Sequence, residues 1–195
     1  MCKGFLKIAF LAFLLAITSA CGNVQNSGSP DIERPELSLS QNGSNYFNLN
    51  ELNAAQVSFL KSLPSFTKSS EMVIVGWVSK IDSFVVKNDE GDQFVLSDVT
   101  LDVERSVKGE VGRSIVIRVP GGVMNGLRFT YSFAPKFSKD ERLLIFLKRE
   151  QGIIYPYLMK HGKFTINEDD TIADYKLPLE GVVENISSGV EGGTM

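Results

Sequence analysis

The clearest strand pattern in the chain is Val99-Thr100-Leu101-Asp102-Val103-Glu104-Arg105-Ser106-Val107. Apolar side chains stand at every second position of this stretch and polar side chains stand between them, with Arg105 as the only departure. A period of two is expected of a β-strand that buries one of its faces. The stretch therefore predicts the central strand of a sheet.

The alternation resumes after a short polar turn. Residues 108–112 contain two glycines, and Ile115, Ile117 and Val119 then fall on one parity until the Pro-Gly-Gly sequence at 120–122. Glycine and proline mark chain reversals and the ends of strands. We therefore expect residues 99–119 to form a long antiparallel hairpin.

Shorter apolar or alternating runs predict the remaining strands, at residues 72–78, from residue 94, and at 129–133, 143–147, 153–159 and 163–166. Gly76 predicts a bend or bulge in the first of these strands, and Trp77 beside it is expected to fill the core. The polar sequence 87–92 has the chemistry of a hairpin turn. Pro156 predicts a sheet edge or a bulge, because proline has no N–H to donate.

Two helices are predicted to flank the sheet. Asn48 and Glu51 have capping-box spacing, and apolar residues then recur at helical intervals until Pro64. Apolar residues at helical spacing after Pro178 predict a short second helix that ends near Ile186. The predicted fold class is therefore mainly β, a small antiparallel OB-type barrel or sandwich with one or two flanking helices.

The chain is long enough for one ordinary domain with a leader and a tail. The 195 residues are 43% hydrophobic and 22% charged, which is typical of a globular chain. The formal net charge of −3 becomes −5 without Lys3 and Lys7 of the leader, and this sign argues against nucleic acid as a partner. We expect a signal peptide at 1–20, a flexible tether at 21–45, a single barrel-like domain at 46–186 and a disordered tail at 187–195.

The first twenty residues have the charged, apolar and small-residue order of a secretory signal. Their apolar run, residues 8–17, is shorter than the roughly 20 residues that span a bilayer. The junction Thr18-Ser19-Ala20-Cys21 resembles a bacterial lipobox, which implies cleavage before Cys21 and attachment of acyl chains to it. Ordinary signal cleavage near Ala20, with an incidental thiol at Cys21, is the alternative.

The cysteine count agrees with lipidation. Cys2 leaves with the leader, so an exported chain would otherwise carry one unpaired thiol at its end and no disulfide. The residue after Cys21 is Gly22 rather than aspartate, which would indicate retention in the inner membrane. By resemblance to bacterial sorting patterns, Gly22 favours the outer membrane. We therefore expect a lipid-anchored protein of the bacterial cell envelope.

Several short motifs follow one another between residues 73 and 166. They are a strand that ends in Lys108-Gly109, a Pro-Gly-Gly turn at 120–122, a Pro-x-Phe segment at 135–137 and a leucine-rich strand at 141–147, with further matches at 75–78 and 162–164. This order resembles a group of uncharacterised bacterial envelope lipoproteins, and it is similar to the barrel of netrin and tissue-inhibitor modules. The resemblance implies a five-stranded OB-type fold and transfers no catalytic residue.

Phe129, Tyr131 and Phe133 alternate with polar residues in the candidate ligand face. Aromatic side chains at a period of two most often pack into a core, which is the role that we expect here. The alternative is an exposed face that binds a sugar or a peptide, together with the glycine-containing loop at 121–126.

Two further places are expected to be structural. The acidic residues at 89–92 do not have EF-hand spacing, so a solvated turn is expected rather than a calcium site. His161, the single histidine, lies in a predicted exposed turn. The sequence contains no P-loop, dinucleotide fingerprint or paired cysteine motif. We therefore predict no catalytic residue, no cofactor and no metal.

The sequence favours a non-enzymatic envelope protein with a binding or structural role. Its partners would be the membrane, through the anchor, and an envelope protein or glycan. A carboxylate-dependent hydrolase of envelope polymers and a netrin-like protease inhibitor are the alternatives. An exposed aromatic row beside an open face would favour binding, whereas two facing carboxylates in one cleft would favour hydrolysis.

Overall fold

A computed structural model describes residues 46–48 and 50–191 of the chain. The predicted leader, Cys21 and the predicted tether lie outside the described residues. The described elements are α1 (Ala54–Ser69), β1 (Met72–Lys87), β2 (Gln93–Lys108), β3 (Ser114–Pro120), β4 (Gly122–Met124), β5 (Leu127–Phe129), β6 (Arg142–Glu150), β7 (Ile153–Pro156), a 3-10 turn (Met159–Gly162), β8 (Lys163–Thr165), β9 (Thr171–Ile172), β10 (Leu177–Pro178) and α2 (Leu179–Glu191).

One antiparallel sheet dominates the described residues, with the strand order β3-β2-β1-β6-β7 and with β8 paired to the start of β6. The end strands β3 and β7 come close to each other without forming a ladder, so the sheet curls into a partly open barrel. A partly open five-stranded barrel is the OB-type arrangement. The predicted class, mainly β and antiparallel with flanking helices, is confirmed.

The long hairpin predicted around residues 99–119 is part of this sheet. The predicted strand at 99–107 lies inside β2, which pairs with β3 from Leu96 to Asp102. The register of β1 against β2 shifts next to Gly76, as the predicted bulge requires. A Cβ atom on Gly76 would lie 2.5 Å from the Asp102 carbonyl oxygen, so the close approach of the two strands needs glycine here.

Two apolar cores lie on opposite faces of β1 and β6. Ile74 and Ile145 point into the barrel with buried residues of β2 and β3. Val73 and Phe146 point outward and pack with buried residues of both helices. Because both faces are covered, Leu143–Leu147 is a continuous apolar run rather than an alternating one.

Helix α1 begins later and ends later than the sequence predicts. Its capping box is formed by Asn53 and Gln56, whose side chains accept from each other's backbone N–H groups at 3.0 and 2.9 Å. The predicted pair, Asn48 and Glu51, forms a separate turn. Pro64 lies exposed inside the helix, and the buried Leu63 and Thr67 on either side of it keep the helix packed on the sheet.

Other predictions differ from the structure, among them the strand at 153–159, which ends at Pro156. Trp77 does not fill the core, because the apolar cluster of its face ends at Val75, and the side chain is 45% exposed. The predicted strand at 129–133 ends at Phe129, after which the chain turns. Helix α2 continues to Glu191, so residues 187–191 of the predicted tail are helical. No helix among the described residues is both long and apolar enough to cross a bilayer.

Candidate ligand-binding cleft

The candidate site starts at the small hairpin of β4 and β5. Asn125 and Gly126 form its turn with φ values of 51° and 78°, which is the left-handed backbone of a two-residue hairpin turn. The base of the hairpin is held by two serines, since the Ser97 hydroxyl donates to the Gly121 carbonyl at 2.7 Å and the Val123 N–H donates to the Ser83 hydroxyl at 3.1 Å. The hairpin is thus fixed to β1 and β2 by polar contacts.

The segment that follows the hairpin is fastened to the 3-10 turn. The Lys160 N–H donates to the Phe133 carbonyl at 3.2 Å, and the Lys160 ammonium group donates to the Ser132 carbonyl at 3.0 Å. The Tyr131 and Phe133 rings lie 5.8 Å apart. These contacts give residues 130–136 a defined path, although this segment contains no strand.

A cleft of about 700 Å³ lies between this segment and β8. Its lining residues are mostly hydroxyl-bearing or basic: Thr130, Tyr131, Ser132, Ala134, Pro135, Lys136, Lys160, Lys163, Thr165 and Asp174. One carboxylate, that of Asp174, is among them. The cleft therefore offers an aromatic ring, hydroxyl groups and ammonium groups to a ligand, and it does not place two facing carboxylates there.

One of the lining residues, Lys163, forms an ion pair beside the cleft. The ammonium group of Lys163 contacts the Glu141 carboxylate, and the side chains are 11% and 13% exposed. The Thr165 hydroxyl donates to the same carboxylate at 2.6 Å, and Lys163 also lies 5.2 Å from the centre of the Phe137 ring. Because this pair is satisfied internally, the free positive charge of the cleft comes from its exposed lysines, Lys136 and Lys160.

The structure places the three aromatic residues of the predicted ligand face on two different segments, Phe129 on β5 and the other two in the turn segment that follows it. Tyr131 is half-buried and lines the cleft, whereas Phe129 lies on the hairpin, paired with Gly122. Phe129 and Phe133 are 40% and 37% exposed, so the expectation that these rings pack into the core is wrong. A period of two assigns side chains to a face but does not show whether another element covers that face.

The other candidate residues lie away from the cleft lining. His161 is exposed in the 3-10 turn. In the acidic turn, the Asn88 side chain accepts from the backbone N–H groups of Glu90 and Asp92, at 3.1 and 2.7 Å. Within residues 46–48 and 50–191, no group of three or more acidic, histidine or cysteine side chains could hold a metal ion.

A second polar cluster, which sequence reasoning missed, surrounds Arg142. Its guanidinium group donates twice to the Glu104 carboxylate, at 2.8 and 2.6 Å, and also to Asp170, and it lies 5.7 Å from the centre of the Trp77 ring. The hydrogen bonds from Arg142 lower the pKa of Glu104, despite the opposing effect of burial. A carboxylate held ionised in this way is a poor general acid, so we interpret the cluster as structural.

Comparisons with known proteins add no family to this description. No protein-family model matches the chain, and no curated protein is significantly similar to it. The resemblance to netrin and tissue-inhibitor modules therefore stays a prediction.

Proposed function

We propose that this protein is a lipid-anchored component of the bacterial cell envelope that binds an envelope partner without catalysing a reaction. The leader and the lipobox-like junction at Cys21 support the location, with the outer membrane favoured by Gly22. The observation that supports binding is the cleft at residues 130–136, which presents Tyr131 beside two exposed lysines.

The chemistry of the cleft favours an anionic glycan over a protein as the partner. Sugar rings pack against aromatic side chains, and their hydroxyl groups can exchange hydrogen bonds with Thr130, Ser132 and Thr165. Carboxylate or phosphate groups on the glycan would pair with Lys136 and Lys160. A hydrolase would need a second carboxylate opposite Asp174.

The proposal is tested with the mature chain and two probes from the native host, isolated peptidoglycan and the lipid-free envelope polysaccharide fraction. We expect Tyr131→Ala to weaken binding roughly threefold to tenfold, the effect of losing an aromatic contact worth about 0.5–1.5 kcal/mol. Lys136→Ala should weaken binding and make the remaining binding less sensitive to salt, because the substitution removes an ionic contact. Lys61→Ala, on the exposed side of α1, is the matched control.

Two results would contradict the proposal. Unchanged binding by both cleft variants would remove the cleft as the binding site, and release of soluble fragments from either probe would indicate an enzyme. The anchor is tested separately on protein from host membranes, where mass spectrometry should find acyl groups on Cys21. Without the acyl chains, exported Cys21→Ser should be released from the membranes by a high-salt wash, whereas the acylated chain should stay bound.

A further inference from the structure

The charged residues are distributed unevenly along the chain. Between Glu110 and Asp140 there are five lysines and arginines and no acidic residue, although the whole chain has a net charge of −3. This acid-free segment contains β3, the β4–β5 hairpin and one wall of the cleft. This segment is therefore more basic than the rest of the chain.

The hairpin within this segment exposes large apolar side chains. Leu127 is 65% exposed, Val123 is 48% exposed and Phe129 is 40% exposed. Exposed apolar side chains are ordinary when scattered, but these three lie within one eight-residue hairpin. No described element covers the hairpin tip, since a Cβ atom on Gly126 would meet nothing within 4 Å.

One cation lies on the hairpin itself. Arg128 lies between Leu127 and Phe129, directly opposite Val123 in the hairpin register. In the part of the chain that the structure describes, Arg128 forms no salt bridge, so its positive charge is available to a ligand.

We infer that the β4–β5 hairpin docks onto an anionic lipid surface, with Leu127, Phe129 and Val123 entering the interface and Arg128 contacting headgroups. Interfacial membrane segments combine apolar side chains with nearby basic ones in this way. A specific protein partner is less favoured, because three side chains cannot supply the roughly 1,200 Å² of a stable protein interface. This contact is independent of the glycan cleft and of the acyl anchor.

The experiment uses the chain from residue 21 onward with Cys21→Ser, so that no acyl chain contributes. Binding to vesicles of phosphatidylglycerol and phosphatidylethanolamine is compared with binding to phosphatidylcholine vesicles by co-sedimentation. We expect the anionic vesicles to bind at least tenfold more tightly. The double substitution Leu127→Ser and Phe129→Ser should weaken this binding by about tenfold or more, because two apolar contacts are lost.

Matched variants separate the contributions. Arg128→Gln should weaken binding to anionic vesicles about fivefold and reduce its salt dependence, as expected for one cation near an anionic surface. Val116→Ser, at a 50% exposed position on β3, should stay within about twofold of the parent chain. Circular dichroism of each variant shows whether the fold is retained.

Three results would overturn the inference. The first is equal binding to neutral and anionic vesicles, and the second is unchanged vesicle binding by the hairpin double variant. The third is a chain that does not bind vesicles but self-associates in solution, with the self-association abolished by the double variant. The glycan assay reports on the cleft alone. If the chain binds glycan but does not bind vesicles, this inference is wrong and the proposed function is unaffected.

Discussion

At the scale of single residues, the base of the β4–β5 hairpin shows why a glycine is needed. A Cβ atom on Gly122 would lie 2.3 Å from each of the Ser83 and Ser97 hydroxyl oxygens. The backbone φ of Gly122 is +150°, a conformation that is available almost only to glycine. The missing side chain lets the two serines bond to each other at 2.9 Å beneath the hairpin.

Gly122→Ala is therefore expected to destabilise the fold. The clash should cost roughly 1–3 kcal/mol in the free energy of unfolding, in addition to the backbone strain. Gly126→Ala is the matched control, because this glycine has φ +78° but open space around its Cβ position, and it should cost only about 1 kcal/mol. Equal losses in urea denaturation of the two variants would contradict the steric explanation.

At the scale of elements, helix α1 is held at its carboxyl end by a side chain from β2. The Lys108 ammonium group donates to the carbonyl oxygens of Thr67 and Ser70 at 2.5 and 2.6 Å. Carbonyl groups at a helix end lack partners inside the helix, and a cation there is favourable. The Lys-Gly motif that sequence reasoning noticed at the end of this strand therefore has a structural role.

Lys108→Met keeps the length of the side chain and removes its charge. We expect the free energy of unfolding to fall by about 1–3 kcal/mol, because two partly buried charged hydrogen bonds are lost. Lys61→Met, at an exposed position of the same helix, should change it by less than about 0.5 kcal/mol. Similar denaturation midpoints for the two variants would show that Lys108 does not hold the helix end.

At the scale of the whole molecule, the Arg142 cluster joins parts of the chain that are far apart in sequence. Arg142 on β6 binds Glu104 on β2 and Asp170 in the turn before β9. It also lies directly opposite Trp77 of β1 in the sheet register. The cluster thus connects the barrel to the small strands that lead into α2.

This cluster should make stability depend on pH in the acidic range. The pKa of Glu104 is lower in the folded state than its usual value, so the carboxylate contributes stability above the unfolded pKa. That contribution is lost as the pH falls through the folded pKa. Urea denaturation of Glu104→Gln should therefore show a smaller loss of stability on acidification than the wild-type chain.

The control for this pH series is Glu184→Gln, which removes an exposed carboxylate of α2. Its stability should follow the wild-type curve on acidification. If Glu104→Gln also followed that curve, Glu104 would not carry the acid dependence.

Much of the fold could be predicted because local pattern and tertiary environment agree. Alternation of apolar and polar residues correctly predicted β2 and β3, and the apolar run at 143–147 correctly predicted the central strand. The apolar residues that predicted α2 are all buried. The helix start was misplaced because two capping-box spacings, from Asn48 and from Asn53, compete along the same few residues.

The candidate site could be predicted only in part. Sequence pattern marked Phe129, Tyr131 and Phe133 but assigned them to one strand and to the core. The cleft brings Tyr131 and Lys136 together with Lys160 and Asp174, which come from two later segments. No local spacing relates these segments, so the sequence marked Tyr131 but could not show which later residues lie opposite it.

Side-chain periodicity alone located the main strands of the large sheet, the start of the second helix and the β class of the fold, because it follows directly from backbone geometry. The tertiary structure decided which faces are covered. Trp77 and Phe129 stand exposed, although their patterns resemble those of buried residues, because neither belongs to a buried apolar cluster of the described residues. Burial depends on contacts between distant segments, which periodicity does not contain.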